Sequence, residues 1–213
     1  MKELEKFGID MEGSPLLEIA LTHTSYANEH NCTSYERLEF LGDAVLELVS
    51  SDYIFKHENL KEGQMSKKRS LYVCENALYE YAKELDLVNK IKVGHSIQTP
   101  NKTVVADVFE AIIGAMYLEK GIEVVFDFFN KLIVPYIESG AEFLHDYKST
   151  LQELVQTERK TIEYRLVKEG GPAHKKYYVV DVLIDDIVYG EGTGGSKKDA
   201  EQRAAKEALS KKA

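Results

Sequence analysis

Only two cysteines, Cys32 and Cys74, occur in 213 residues, and neither sits at a metal-ligand spacing. That argues against a disulfide framework and for a reducing, cytoplasmic setting. No window approaches the roughly 18 uninterrupted apolar residues of a membrane span. The opening MKELEKFGIDMEGS has neither an apolar core nor a small-residue cleavage pattern, so no signal peptide is expected. Low-complexity segments and internal repeats are missing as well. With 44% hydrophobic and 30% charged residues, the chain has the make-up of a globular protein with no membrane partner. Its length suits one large domain or two smaller ones.

The formal net charge of −9 is unevenly spread. Residues 1–145 carry 14 Lys and Arg against 24 Asp and Glu, whereas residues 146–213 carry 13 against 12. The average hides an acidic first part and a near-neutral second part with clustered lysines. Local clusters, more than totals, decide phosphate binding.

Residues 1 to about 140 read as helical. Apolar residues recur at three- and four-residue spacing in the opening stretch, SPLLEIALTHTSY, YERLEFLGDAVLEL, LYVCENALYEYAKEL, VVADVFEAIIGAMYLEKG and VVFDFFNKLIVPYI, with Gly121 as a helix stop. The pattern changes after ESGAEFLHD, which places a boundary near residues 140–146. One amphipathic helix, KSTLQELVQTE, precedes three runs rich in β-branched and aromatic residues: TIEYRLV, KKYYVVDVLI and IVYGEGTG. Asp185-Asp186 predicts a two-residue hairpin turn. The chain ends in SKKDAEQRAAKEALSKK, a helix with Ser196 as N-cap. The order α-β-β-β-α covers about 65 residues.

Two of the helical runs carry acids where a buried helix should have none. In YERLEFLGDAVLEL, Glu36, Glu39 and Asp43 fall at i, i+3 and i+7, on one face. In VVADVFEAIIGAMY, Asp107 and Glu110 are i and i+3 on a helix otherwise almost wholly apolar, with Gly114 one turn further along. Either segment alone reads as an ordinary solvated acidic face. Together they point to a shared hard-cation site, because buried carboxylates cost several kcal/mol each, as an order of magnitude, unless paired or bound to metal. Arg37 is the only nearby cation in sequence. Oxygen donors without His or Cys favour Mg²⁺, or Mn²⁺ as a substitute, over Zn²⁺. Hydrolytic attack on phosphorus is the chemistry that such a site serves.

ERLEFLGDAVL resembles the signature motif of the ribonuclease III family, and ADVFEAIIGAMYLEKG resembles that family's second acidic motif. ALTHTSYANE is similar to the family segment just upstream. The resemblance continues past residue 145 into a double-stranded-RNA-binding domain and so covers nearly the whole chain. It implies an all-α endonuclease domain over residues 1–143, then a small α+β (α-β-β-β-α) RNA-binding domain over residues 146–213. The family's principal metal and catalytic carboxylates fall on Glu39, Asp43, Asp107 and Glu110, with Glu110 as the central ligand. Glu36 and Glu62 match acidic positions used more peripherally, near the RNA. Phe40 matches the aromatic that enters a pocket on a partner subunit, so a homodimer through the signature helix is implied. The implied activity is divalent-metal-dependent cleavage of double-stranded RNA into staggered ends with 5′-phosphate and 3′-hydroxyl groups, in ribosomal-RNA precursors and structured messenger RNAs.

The chemistry of the second domain agrees. Lys197 and Lys198 open the last helix, where the macrodipole disfavours cations by about 0.3–1 kcal/mol; a phosphate held opposite would reverse that preference. Gln152 and Gln156, at i and i+4 on the first helix, face one way and suit hydrogen bonds in the shallow minor groove of A-form RNA; Glu153 adjoins them. GGPAHKK resembles the family's groove-entering loop, with His174 at its tip. Lys175 and Lys176 suit either phosphate or plain solvent. A duplex-binding protein that does not cut would keep this domain but lose a principal carboxylate. A phosphohydrolase of small molecules would keep the acids but have no use for GTGGSKKDAEQ.

Overall fold

The computed structural model describes residues 1–141, 143, 147–172 and 175–212. Two compact units divide between residues 144 and 145. The first is all-helical: α1 (Lys2–Glu5), α2 (Pro15–Ala20), α3 (Thr24–His30), α4 (Glu36–His57), α5 (Glu62–Tyr72), α6 (Glu75–Glu84), a 3₁₀ turn (Leu87–Asn89), α7 (Lys102–Lys120), α8 (Ile122–Leu132) and α9 (Val134–Glu138). The second comprises α10 (Tyr147–Thr157), β1 (Ile162–Gly170), β2 (Tyr177–Ile184), β3 (Ile187–Gly194) and α11 (Lys197–Lys212).

Helix α7 is the centre of the first unit. From Val105 to Met116 every residue is buried except Asp107 and Glu110, which are half-buried. Asn101 caps its start, accepting the Val104 N–H at 2.9 Å, and Gly121 ends it at φ 88°, a conformation that favours glycine. Its main neighbour is the long α4, which buries Leu38, Val45, Leu46 and Val49 in the same core. Two glycines let these helices meet backbone to backbone. A Cβ on Gly42 would overlap the carbonyl of Glu110, and a Cβ on Gly114 would overlap the carbonyl of Leu38.

The periodic run SPLLEIALTHTSY is not one helix, contrary to the expectation above. It breaks between α2 and α3, where Thr22 makes a parallel bridge to Lys92. Here the Leu21 carbonyl accepts the Lys92 N–H at 2.8 Å, and the His23 N–H donates to the Lys92 carbonyl at 3.0 Å. The His23 ring then caps α3 by accepting the Ser25 N–H at 3.1 Å. Pairing with a distant segment thus replaces the helical bonds that local periodicity favours. The opening stretch likewise forms only the four-residue α1. VVFDFFNKLIVPYI splits at Ile133, because Pro135 supplies no N–H to continue α8.

In the second unit the antiparallel sheet runs β1-β2-β3. Val182 and Ile184 on β2 join Leu151 and Val155 of α10 and Ala204, Ala205 and Ala208 of α11 in a separate core. Gly190, Gly192 and Gly194 alternate along β3, and side chains there would run into the backbone of α11 around Ala200 and Ala204. Ser196 accepts the Asp199 N–H at 3.2 Å, capping α11. The hairpin between β2 and β3 turns on Asp185 (φ 47°) and Asp186 (φ 64°), both left-handed. The Asp185 carboxylate also accepts the Thr161 N–H at 2.9 Å, so its side chain has a task beyond the turn. Asp186→Gly should therefore stabilise this unit by about 0.5–1 kcal/mol by relieving left-handed strain, net of the entropy that glycine loses on folding. Urea unfolding of the variant checks this; a lower midpoint would refute it.

Candidate active site and RNA-binding surface

Carboxylate oxygens of Glu39 on α4 and of Asp107 and Glu110 on α7 lie within 4.8 Å of one another. The close approach at Gly42 and Gly114 is what lets acids from two helices share so small a space. Burial, then the charges of Asp43, Glu39 and Asp107, push the Glu110 carboxyl up to about 8. Burial and the neighbouring Asp107, Glu36 and Asp43 also raise Glu39. Asp107 is raised by burial, against a hydrogen bond from Tyr35 that favours its ionised form. Among the described residues no lysine or arginine forms an ion pair with any of these acids. Three half-buried oxygen donors with uncompensated charge fit a hard divalent cation, which would draw all three into the ionised state.

Asp43 stands apart from the triple. It is exposed, one turn beyond Glu39, and lies outside the 4.8 Å group, although its charge bears on Glu110. Glu36 is exposed at the start of α4 and accepts a hydrogen bond from Ser34 at 3.0 Å. Glu62 is not brought to the acids. It opens α5, accepts from Ser66 at 3.2 Å, and lines a cleft of about 390 Å³ with Leu48, Phe55, Met65 and Arg69. Phe40 projects from α4 with 82% of its surface exposed, on the same side as the exposed Leu48 and Phe55.

Sequence reasoning passed over two contributors to this centre and noted a third, Gly114, only by its place on the acidic face. Tyr35, one residue before the acidic stripe, is buried and donates its hydroxyl hydrogen bond to Asp107 at 3.1 Å. Gly42 is the other. Its signal was present: Gly42 is i+3 from Glu39 and so shares the acidic face of α4, just as Gly114, i+4 from Glu110, shares that of α7.

On the second unit, Gln152, Glu153 and Gln156 are exposed along α10, with Leu151 and Val155 buried on its other face. Lys197 and Lys198 are exposed in the first turn of α11. Lys197 lies 3.8 Å from Glu169 and 5.9 Å from the centre of the Tyr178 ring, so part of its charge is already engaged. Gly171, at φ 91°, sits so close to the Lys175 carbonyl that a Cβ there would overlap it. His174, expected at that loop's tip, lies outside the described residues.

An acidic centre on paired helices, joined in one chain to an α-β-β-β-α unit, defines the class: a nuclease that carries its own duplex-binding module. Comparison with known proteins agrees. Residues 14–137 match the model of the ribonuclease-III-like family, and residues 147–212 match the double-stranded RNA binding motif. The chain is 45% identical to ribonuclease 3 of Oceanobacillus iheyensis, covering 96% of this chain and 94% of that protein. It is 44% identical to ribonuclease 3 of Streptococcus uberis, covering 98% and 97%. The nuclease domain of ribonuclease III from Campylobacter jejuni, solved with structural flexibility in a region involved in dimer formation, superposes with a TM-score of 0.57 at 35% identity, covering 62% of this chain and 94% of that one. The chain belongs to the ribonuclease III family of double-strand-specific endoribonucleases.

Proposed function

We propose that this chain, as a homodimer, hydrolyses both strands of duplex RNA with Mg²⁺ as its cofactor and Mn²⁺ as a substitute. Products are staggered ends bearing 5′-phosphate and 3′-hydroxyl groups. Its work would be the maturation of ribosomal-RNA precursors and structured messenger RNAs in the cytoplasm. The observation that carries this reading is the meeting of Glu39, Asp107 and Glu110 within 4.8 Å.

In this reading Glu39, Asp107 and Glu110 hold the cation. When bound, Mg²⁺ supplies positive charge to the scissile phosphate and to the charge that develops on it in the transition state. Asp43, exposed beside the triple, accepts a hydrogen bond from the attacking water and orients it toward phosphorus. As the new P–O bond forms and the bond to O3′ breaks, the attacking water gives up a proton to solvent past Asp43, and O3′ takes one from solvent to become the 3′-hydroxyl. Glu36 and Glu62 serve as peripheral acids near the RNA. Phe40 anchors the dimer, which the exposed apolar side of α4 and the adjoining cleft support.

We take residues 1–143 as the nuclease domain and residues 146–213 as the RNA-binding domain. In the latter, Gln152, Glu153, Gln156 and His174 reach into minor grooves while Lys197 and Lys198 meet phosphate. Lys197→Ala with Lys198→Ala should weaken duplex binding about tenfold and flatten its log–log salt slope by about 1 per lysine lost. Lys198 should account for the larger share, since Glu169 attends Lys197. Fluorescence anisotropy at several salt concentrations measures both, and an unaltered slope would reject the contact.

The activity itself is tested with labelled perfect RNA duplex, single-stranded RNA and DNA duplex, each with Mg²⁺ or EDTA. RNA duplex should be cut only with Mg²⁺, and the controls left intact. Equal cutting of single strands, or cutting in EDTA, would overturn the reading.

A further inference from the structure

Tyr35 is 5% exposed, so its ring is core, and a phenylalanine would fill the same space. Burying the additional hydroxyl is unfavourable unless it finds a partner. The partner it finds is Oδ2 of Asp107, 3.1 Å away on a different helix. Among the described residues, this is the side-chain hydrogen bond accepted by a member of the acidic triple. Four contacts hold the residue that donates it, three through its backbone and one through its ring. The Tyr35 N–H donates to the Thr22 carbonyl at 3.0 Å. The Tyr35 carbonyl accepts the N–H groups of Leu38 and Glu39 at 2.8 and 3.0 Å, the first bonds of α4. Its ring lies 5.8 Å from that of His23, whose Nδ1 is held by Ser25 at 2.8 Å. One residue therefore ties the backbone that carries Glu39 to the carboxylate of Asp107.

We infer that Tyr35 is a positioning residue for the acidic centre, its hydroxyl holding Asp107 by one oxygen so that the other is presented to a divalent cation. This rests on the reading of Glu39, Asp107 and Glu110 as a cation site. A carboxylate on a helix turns about two side-chain bonds, and tying one oxygen removes most of that freedom before the cation arrives. Partners that orient ligands in this way contribute about 10- to 100-fold in metal affinity.

The test uses the full chain with Tyr35→Phe, which keeps the ring and its packing. Mn²⁺ affinity, read without RNA from the electron paramagnetic resonance of the free ion, should fall about tenfold. The Mg²⁺ concentration for half-maximal duplex cleavage should rise by a similar factor, and the rate at saturating Mg²⁺ should return to within about threefold of the parent. In an Asp107→Ala background the same tyrosine change should leave Mn²⁺ affinity unaltered, because the carboxylate that the hydroxyl holds is already gone. Parental Mn²⁺ affinity in Tyr35→Phe would overturn the assignment, as would an equal loss in both backgrounds, the mark of general structural damage. Failure of the parent chain itself to bind Mn²⁺ would instead remove the cation-site reading, and the role of Tyr35 with it.

Discussion

Glu110→Gln should cut the rate of RNA duplex cleavage by at least about 1,000-fold, a loss of about 4 kcal/mol of transition-state stabilisation. Duplex binding in Ca²⁺ or EDTA should stay within about twofold of the parent. Glutamine keeps the shape and one carbonyl oxygen but removes the charge at the most buried of the three clustered acids. A single-turnover assay beside a gel-shift measurement separates the two effects. Cleavage at the parental rate would show that Glu110 holds no cation that the reaction needs.

The same variant has a second consequence, visible without RNA. In the metal-free chain, burial and its acidic neighbours hold Glu110 at about 8, above its ordinary value of 4.5. The folded state therefore keeps a proton that the unfolded chain gives up between those values. The stability this contributes is complete below pH 4.5 and is lost as pH rises through about 8. Glutamine cannot ionise. Glu110→Gln should then match the parent near pH 5 and exceed it above pH 8, by roughly 1–2 kcal/mol after discounting for solvent at this half-buried group. Thermal unfolding in EDTA across this range measures the difference, and Mg²⁺ should narrow it at high pH. Parallel profiles would mean that Glu110 ionises as it would in water.

Gly42→Ala should be among the most damaging single-methyl additions in the chain. Its Cβ meets the carbonyl of Glu110, which is backbone and cannot move aside by changing rotamer. Overpacking a well-filled interior costs about 1–3 kcal/mol, and a backbone obstacle belongs at or beyond the top of that range. Relief requires α4 and α7 to separate, which also draws Glu39 away from Asp107 and Glu110. Loss of about 3 kcal/mol in the first unit should thus come with weaker Mn²⁺ binding in whatever still folds. Gly63→Ala in α5 is the matched control, since nothing lies within 4 Å of the added carbon. It should stabilise by about 0.5–1 kcal/mol. Similar denaturation midpoints for the two variants would show that the close crossing imposes no constraint.

Much of this architecture could be read from residue types alone. Period-3.6 runs marked α4, α6, α7 and α8, and β-branched runs marked the three strands; Asp185-Asp186 marked their last turn, and Ser196 the start of α11. These features depend on neighbours a few positions away, and local sequence holds them completely. So does the sharing of one helix face by Glu36, Glu39 and Asp43, because a helix repeats every 3.6 residues whatever surrounds it.

Contacts between distant segments were decided elsewhere. The bridge from Thr22 to Lys92 breaks a helix that periodicity favours. The crossing of α4 and α7 admits Glu39, Asp107 and Glu110 to one space and leaves Asp43 at its rim. It also turns Tyr35 from a core aromatic into a partner of Asp107. Helical spacing states which side chains share a face, but not how deeply two faces approach or at what angle. That depth is a property of the packed pair, set here by what Gly42 and Gly114 leave out.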